Sequence, residues 1–190
     1  MKYSRLFAAL VVLSQLQGCA AAVVAAGAGA VSAANDRRTV GSQIDDNTIE
    51  ITAELRISQS ESINKNSHIN IISVNGQVLM VGQTPNDYLR EQAQKLISDI
   101  DGIVAVHNQI KIGTPTSVGT QTNDVWLTTK VKTQLLTDEN LPGNSIKVVT
   151  ENSEVFLMGL VTKAEADQAT EIARNISGVT KVVKIFEFKD

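Results

Sequence analysis

The sequence predicts an α+β protein made of two tandem domains, each with the element order α-β-β-α-β. Three observations predict this: a hairpin pattern that recurs after about 77 residues, an amphipathic helix after each hairpin, and a Gly/Thr/Ser-rich stretch between the two copies. We expect the first domain to cover residues 46–112, the linker 113–123 and the second domain 124–190. In each domain, two helices should pack on a small three-stranded mixed sheet.

Each hairpin is predicted by two apolar-rich strands that flank a short polar turn. In the first copy, strands 68–73 and 77–82 flank Asn75-Gly76; in the second copy, strands 145–150 and 154–159 flank Asn152-Ser153. Asn-Gly favours the two positive φ angles of a type I′ turn, and Asn-Ser is a weaker form of the same signal. We therefore predict a tight antiparallel hairpin in both copies.

The helices are predicted by apolar residues that recur with a spacing of three and four. The second helix of each copy is expected at 85–99 and 163–177, and Gly102 and Gly178 follow as helix-ending residues. The last strands are expected at 103–112 and 179–188, and the first helices at 46–58 and 124–137. Because a unit of about 65 residues buries only about 60% of its unfolded surface, we expect the two copies to pack on each other.

The N-terminal residues predict export and a lipid anchor. Lys2 and Arg5 precede an apolar run at 6–16, which is typical of a secretory leader over residues 1–18. Gly18 and Cys19 then resemble the bacterial lipobox, and lipidation also accounts for a chain with a single cysteine. Residues 20–34 contain no Leu, Ile or Phe, so we interpret 19–45 as a lipidated cysteine with a flexible tether rather than as a membrane span.

The outer face of the predicted helix 124–137 is the candidate binding surface. At 100° per residue, Trp126 lies opposite the apolar core face, among threonines and beside lysines. An indole next to ammonium groups suits an anionic membrane surface, where the ring lies at headgroup depth and the cations meet phosphates. The candidate lipid-binding residues are Val125, Trp126, Thr129, Lys130, Lys132, Thr133 and Leu136.

The first copy provides a comparison for this surface. When the two first helices are compared position by position, at an offset of 80 residues, the first copy carries Asp46 for Trp126, Glu50 for Lys130 and Glu54 for Gln134. The reversed charge would assign lipid binding to the second domain, because each acid opposes attraction to an anionic leaflet. Two plainer interpretations stay open: Trp126 could pack on the first domain or the linker, and the lysines could only solvate the helix.

The repeated hairpins, with Gly82 and Gly159, and the α-β-β-α-β order resemble the BON domain. With the leader, the lipobox, the Ala-rich tether and the segments 39–43 and 155–162, the chain is similar to the family of dual-BON-domain outer-membrane lipoproteins. That resemblance implies sorting to the outer membrane, with the chain facing the periplasm, and binding of anionic phospholipid such as phosphatidylglycerol. It also implies a role in envelope integrity at division sites and contact with the outer-membrane protein assembly machinery.

No group of residues predicts catalysis. His68 and His107 are isolated in predicted strands, and the acidic pairs flank helix ends, where carboxylates cap backbone amides. We expect no enzyme activity, no cofactor, no metal site and no small-molecule substrate. Loss of the leader changes the formal net charge from −3 to −5, which also argues against nucleic acid as a partner. The remaining alternative to a lipid-binding module is an adaptor that binds a protein of the envelope assembly machinery through the Trp126 face or the acidic helix 46–58.

Overall fold

In the computed structural model, which describes residues 36–189, two domains follow each other along the chain. The first contains helices α1 (Val40–Gln59), α2 (Glu61–Asn66) and α3 (Asp87–Ile97), and strands β1 (His68–Val74), β2 (Gln77–Thr84), β3 (Ala105–Asn108) and β4 (Lys111–Ile112). The second contains helices α4 (Val118–Thr137) and α5 (Lys163–Arg174), a 3₁₀ turn (Gly143–Ser145), and strands β5 (Ile146–Glu151), β6 (Glu154–Val161) and β7 (Lys181–Phe188). The predicted fold class is confirmed.

Both sheets have the same mixed topology. The central strand, β2 or β6, pairs antiparallel with the first strand of its hairpin and parallel with the last strand of its domain. The hairpin turns have positive φ at Asn75 and Gly76, and at Asn152 and Ser153, as predicted for type I′ turns. Gly159 shows why the central strand needs glycine, because a Cβ there would lie 2.2 Å from the carbonyl oxygen of Ser145.

The two domains pack through their sheets, with their helices on the outer sides. In β2, Val78 and Met80 face the helices of the first domain, whereas Leu79 and Val81 face the other sheet. Phe156 and Met158 of β6 meet them there, while the alternate residues of β6 contribute to the core beneath α4 and α5. Residues 37–189 thus form one compact unit of four layers, helix-sheet-sheet-helix. The expectation that the two copies pack on each other is confirmed.

The long helices begin earlier than predicted. Thr39 and Ser117 cap the N-termini of α1 and α4, and each hydroxyl accepts a hydrogen bond from the backbone amide three residues later. Residues 40–45, predicted as the end of the flexible tether, and residues 118–123, predicted as linker, are therefore helical. The prediction was wrong at these ends because the N-capping residues Thr39 and Ser117, rather than the apolar spacing, determine where the two helices begin.

The predicted last strand of the first domain, 103–112, is interrupted. The Asn108 side chain accepts a hydrogen bond from the amide of Ile110, so β3 ends there and β4 resumes on the same edge of β2. α3 and α5 are also shorter than predicted, and α2 and the 3₁₀ turn were not predicted at all. The predicted leader, Cys19 and residues 20–34 lie outside the described part of the chain.

Candidate membrane-binding surface

Helix α4 has one buried and one exposed face, as its sequence predicts. Leu127, Val131 and Leu135 are completely buried against the second sheet. The opposite side, which we call the α4 outer face, exposes Trp126, Val125 and Leu136. Thr129 and Thr133 lie between these three residues.

Trp126 projects from this surface into solvent. Its side chain is 52% exposed, and the ammonium Nζ of Lys130 lies 4.2 Å from the ring centroid. The two residues form a cation–π pair, because the positive charge is attracted to the negative face of the indole ring. The alternative prediction, that Trp126 packs against the first domain or the linker, would require a buried ring and does not describe this structure.

Three threonines of α4, of which Thr129 lies on the α4 outer face, bond back to their own helix. The hydroxyls of Thr122, Thr129 and Thr137 donate hydrogen bonds of 2.9–3.0 Å to the backbone carbonyls of Val118, Val125 and Thr133. Each hydroxyl therefore satisfies its donor within the helix, as is common for threonine in helices. An apolar environment can cover this face without leaving an unbonded hydroxyl proton on these three residues.

Lys132 does not contribute its charge to this face. Its ammonium donates hydrogen bonds of 2.8 Å to the carbonyl of Gly143 and 2.7 Å to the carbonyl of Ile146. The side chain thereby ties the middle of α4 to the 3₁₀ turn and the start of β5. Lys132 is a structural residue here, and of the two lysines proposed for lipid binding only Lys130 is placed beside Trp126.

Two buried aspartates establish how the two first helices correspond. Asp46 accepts hydrogen bonds from the amides of Asn75 and Gly76, both at 2.9 Å, and Asp124 accepts them from Asn152 and Ser153, both at 2.8 Å. Each carboxylate thus caps the hairpin turn of its own domain. Because Asp46 and Asp124 occupy equivalent sites, the true offset between the helices is 78 residues rather than 80.

This offset corrects the predicted reversal of charge. Trp126 corresponds to Thr48 and Lys130 to Thr52, so Asp46 and Glu50 do not occupy their places. Glu50 instead accepts a hydrogen bond from the amide of Ser73. A repeated signal in the sequence could have revealed the offset: Thr-Val-Gly-Ser-Gln at 39–43 matches Ser-Val-Gly-Thr-Gln at 117–121, and both segments precede the aspartate by the same distance.

The chain enters the folded unit on the second domain. The backbone amide of Arg37 donates to the hydroxyl of Ser145, and its guanidinium forms two hydrogen bonds, of 2.7 and 2.8 Å, with the carboxylate of Glu165. The hydrogen bonds from Arg37 lower the pKa of Glu165 to about 2. Arg38 then pairs with Asp46 of the first domain. Two consecutive arginines therefore connect the N-terminal segment to both domains.

Neither histidine lies in a group that suggests catalysis. A ring nitrogen of His107 is 2.8 Å from the side-chain oxygen of Gln77, which is a structural contact within the first sheet. Over residues 36–189, no set of three or more His, Cys, Asp and Glu side chains is arranged to hold a metal ion. In that same range, no helix is both long enough and apolar enough to cross a bilayer.

Comparison with known proteins identifies the repeated domain. The family model described as BON domain matches residues 45–114 and again residues 123–190. The chain belongs to the BON-domain family. Its two BON domains are those defined above by the repeated hairpins and the capping aspartates Asp46 and Asp124.

Two relatives share most of their length with this dual-BON chain. It is 41% identical to the outer membrane lipoprotein DolP of Haemophilus influenzae, over 92% of this chain and 91% of that protein. It is 37% identical to the 21 kDa hemolysin of Actinobacillus pleuropneumoniae, over 80% of this chain and 79% of the relative. Among solved structures, the C-terminal domain of CdsD of Chlamydia trachomatis aligns over 74% of this chain and 96% of its own, with a TM-score of 0.32 and 11% identity.

Proposed function

We propose that this protein is an outer-membrane lipoprotein, anchored through Cys19 and facing the periplasm, whose second BON domain binds anionic phospholipid. The leader and Gly18-Cys19 support the anchor. The relative from H. influenzae, which aligns over almost the whole chain, is named an outer membrane lipoprotein. The anchor and the α4 outer face would act as two membrane signals on one chain, and such pairs give stable attachment.

The cation–π pair of Trp126 and Lys130 is the observation that carries this proposal. A half-exposed indole on a stable helix is costly in water but favourable at the headgroup level of a bilayer, where its ring contacts acyl carbons. Lys130 lies above the same ring, so its ammonium would meet lipid phosphate when the indole inserts. Val125 and Leu136 extend the apolar contact along the helix.

We further propose that this binding supports envelope integrity and concentrates the protein at division sites. The resemblance to the dual-BON lipoproteins motivates this role. A surface that prefers anionic lipid provides a physical means of concentrating a protein wherever such lipid accumulates. The protein would act by binding rather than by catalysis.

The lipid proposal is tested by flotation of residues 36–190 with vesicles of phosphatidylcholine, with or without phosphatidylglycerol. We expect binding only to the anionic vesicles, and weaker binding as salt is raised. Trp126→Ala should lose most of the binding. Lys130→Glu changes the local charge by two units, so its affinity should fall by about 30-fold, at about 1 kcal/mol per charge.

Matched controls separate this face from general effects. Tyr88→Ala removes an exposed aromatic side chain from α3, and Lys95→Glu makes the same change in net charge there. Both variants should bind like the unmodified fragment. The proposal fails if the unmodified fragment ignores anionic vesicles, or if Trp126→Ala, folded by circular dichroism, floats as well as Tyr88→Ala.

A second candidate function is an adaptor for the outer-membrane protein assembly machinery. The observation that favours it lies on the first BON domain, where helix α1 also exposes large apolar side chains. In that role, protein contact would persist in detergent and would not depend on anionic lipid. The flotation experiment distinguishes the two functions for the α4 outer face.

A further inference from the structure

Helix α1 carries an apolar stripe that nothing within residues 36–189 covers. Val40, Ile44, Ile51 and Leu55 are 55–67% exposed, and their spacing places them on one side of the helix. From Val40 to Leu55 the stripe is about 22 Å long, at ~1.5 Å per residue. The four residues form two pairs, Val40 with Ile44 and Ile51 with Leu55, and the polar Asn47 and Thr48 lie between the pairs. Scattered exposed apolar residues are ordinary, but four on one helix face are typical of a docking surface.

This α1 stripe lies on the opposite outer layer from the α4 outer face. The sheets meet through Leu79, Phe156 and Met158, so α1 covers the far side of the first sheet and α4 covers the far side of the second. One flat bilayer cannot contact both helices at the same time. The α1 stripe is therefore accessible to a different partner when α4 is at a membrane.

The charges on α1 that form no ion pair within the described residues are acidic, because Arg56 of the same helix pairs with Asp99. Glu54 and Asp45 are exposed on α1. Next to α1, a cleft of about 700 Å³ is lined by the carboxylates of Asp45, Asp46, Asp101 and Glu187 and by the exposed side chain of Val104, and no Lys, Arg or His lines it. Asp46 is already paired with Arg38, whereas Asp45 and Asp101 form no ion pair within the described residues.

These charges discriminate between the occupants that an apolar helix face could accept. An anionic bilayer would be repelled by the carboxylates. Two copies of this protein that joined through their α1 stripes would bring like charges together. A protein helix with lysine or arginine beside its apolar side would match both the stripe and the acidic cleft.

We propose that the α1 stripe is the docking site for a basic amphipathic helix of another protein. The apolar side of the partner would pack on Val40, Ile44, Ile51 and Leu55, and its cations would meet Glu54 and the acidic cleft. This proposal does not depend on lipid binding by α4. If both hold, the molecule binds a membrane with one outer layer and a protein with the other.

The test uses the mature lipoprotein in detergent and two synthetic helical peptides, measured by fluorescence anisotropy. Each peptide has about 18 residues, enough to cover about 27 Å, with leucines at helical spacing. One carries lysines beside the leucines, and the other carries glutamates at the same positions. We expect the lysine peptide to bind at least about tenfold more tightly, with an affinity that decreases as salt is raised.

Variants localise the binding. Ile51→Ser combined with Leu55→Ser should lower the affinity for the lysine peptide about tenfold, because a few central apolar contacts supply most of the binding energy in such interfaces. Glu54→Gln combined with Asp101→Asn should weaken it about threefold and reduce the dependence on salt. Tyr88→Ser and Glu91→Gln, both on α3, are the matched controls and should leave the affinity unchanged.

Several results would overturn the proposal. These are the absence of binding, equal binding of the two peptides, or unchanged affinity in the folded α1 variants. Dimerisation in sedimentation that disappears in Ile51→Ser would assign the stripe to a second copy instead. Binding that appears only after residues 19–35 are removed would assign it to the chain's own N-terminal segment.

Discussion

Helices α1 and α4 have the same structural role in their domains but expose different side chains. Both begin at a Ser or Thr cap, bury three apolar residues at equivalent positions, and hold a hairpin turn with an aspartate. Their outer faces diverge, because Trp126 and Lys130 on α4 correspond to Thr48 and Thr52 on α1. Within this pair of repeats, the buried half of the helix is kept and the exposed half differs in its side chains.

The comparison depends on the two domains remaining back to back, and Phe156 tests this. Its ring is almost fully buried between the sheets, so Phe156→Ala should lower the free energy of unfolding by about 3–5 kcal/mol. Urea unfolding followed by circular dichroism measures the loss. A loss below about 1 kcal/mol would show that the sheets are not held together through this contact.

The capping aspartates should differ in strength. Asp46 accepts four hydrogen bonds, including those from Ser73 and Arg38, whereas Asp124 caps its turn through two backbone amides. We expect Asp46→Ala to cost about 3 kcal/mol and Asp124→Ala about 1–2 kcal/mol, since more buried donors lose their acceptor in the first case. Urea unfolding of both variants, with Asp45→Ala as an exposed control, provides the measurement. Equal losses would contradict the difference.

Transfer of the α4 pair to α1 sharpens the comparison of surfaces. In a Trp126→Ala background, Thr48→Trp combined with Thr52→Lys places the pair on the first BON domain. Flotation with phosphatidylglycerol vesicles should recover about fivefold in affinity, equivalent to about 1 kcal/mol, with Glu54 limiting the gain. Adding Glu54→Gln should raise it further. If the transferred pair gives no recovery, other features of α4 are required for lipid binding.

The smallest expected effect concerns Arg37, which forms hydrogen bonds with Ser145 and Glu165 of the second domain. Glu165 has a pKa lowered from its usual 4.5 to about 2, so its pairing stabilises the fold above about pH 4.5, and this stabilisation is lost as the pH falls toward 2. Arg37→Ala should cost about 0.5–1 kcal/mol at pH 7 and little at pH 2. Urea unfolding at both pH values measures this, with the exposed Arg174→Ala on the same helix as Glu165 as control. An equal loss at pH 2 would exclude the ion pair as its source.

The sequence predicts most of the fold because its strongest signals are local. Turns are indicated within a few residues by Asn75-Gly76 and by the glycines that follow the helices. The order of elements and the register of the hairpins could therefore be derived from the sequence. The interruption of the last strand after Asn108 could not be derived from the sequence, because it depends on one side chain accepting a hydrogen bond from the amide of Ile110. The start of α1 at Val40 is marked in the sequence by the N-cap residue Thr39 and not by the apolar spacing.

The candidate site was predictable in outline and not in detail. Helical periodicity places Trp126 outside and Leu127 inside, and both expectations are confirmed. The position of Lys132 was not predictable, because its ammonium binds carbonyls of a 3₁₀ turn that has no clear sequence signal. The offset between the helices depended on recognising Asp46 and Asp124 as buried caps, which hydropathy alone does not distinguish from exposed acids.

The threonines of α4 have a consequence for the energetics of the proposed membrane contact. Since Thr122, Thr129 and Thr137 already bond their own helix, wetting or drying their hydroxyls changes few hydrogen bonds. The free-energy difference between the two conditions then depends mainly on Trp126, Lys130 and the exposed side chains of Val125 and Leu136. If the α4 outer face binds anionic lipid as proposed, a modest change in the local fraction of that lipid would alter the share of time that α4 spends at the bilayer.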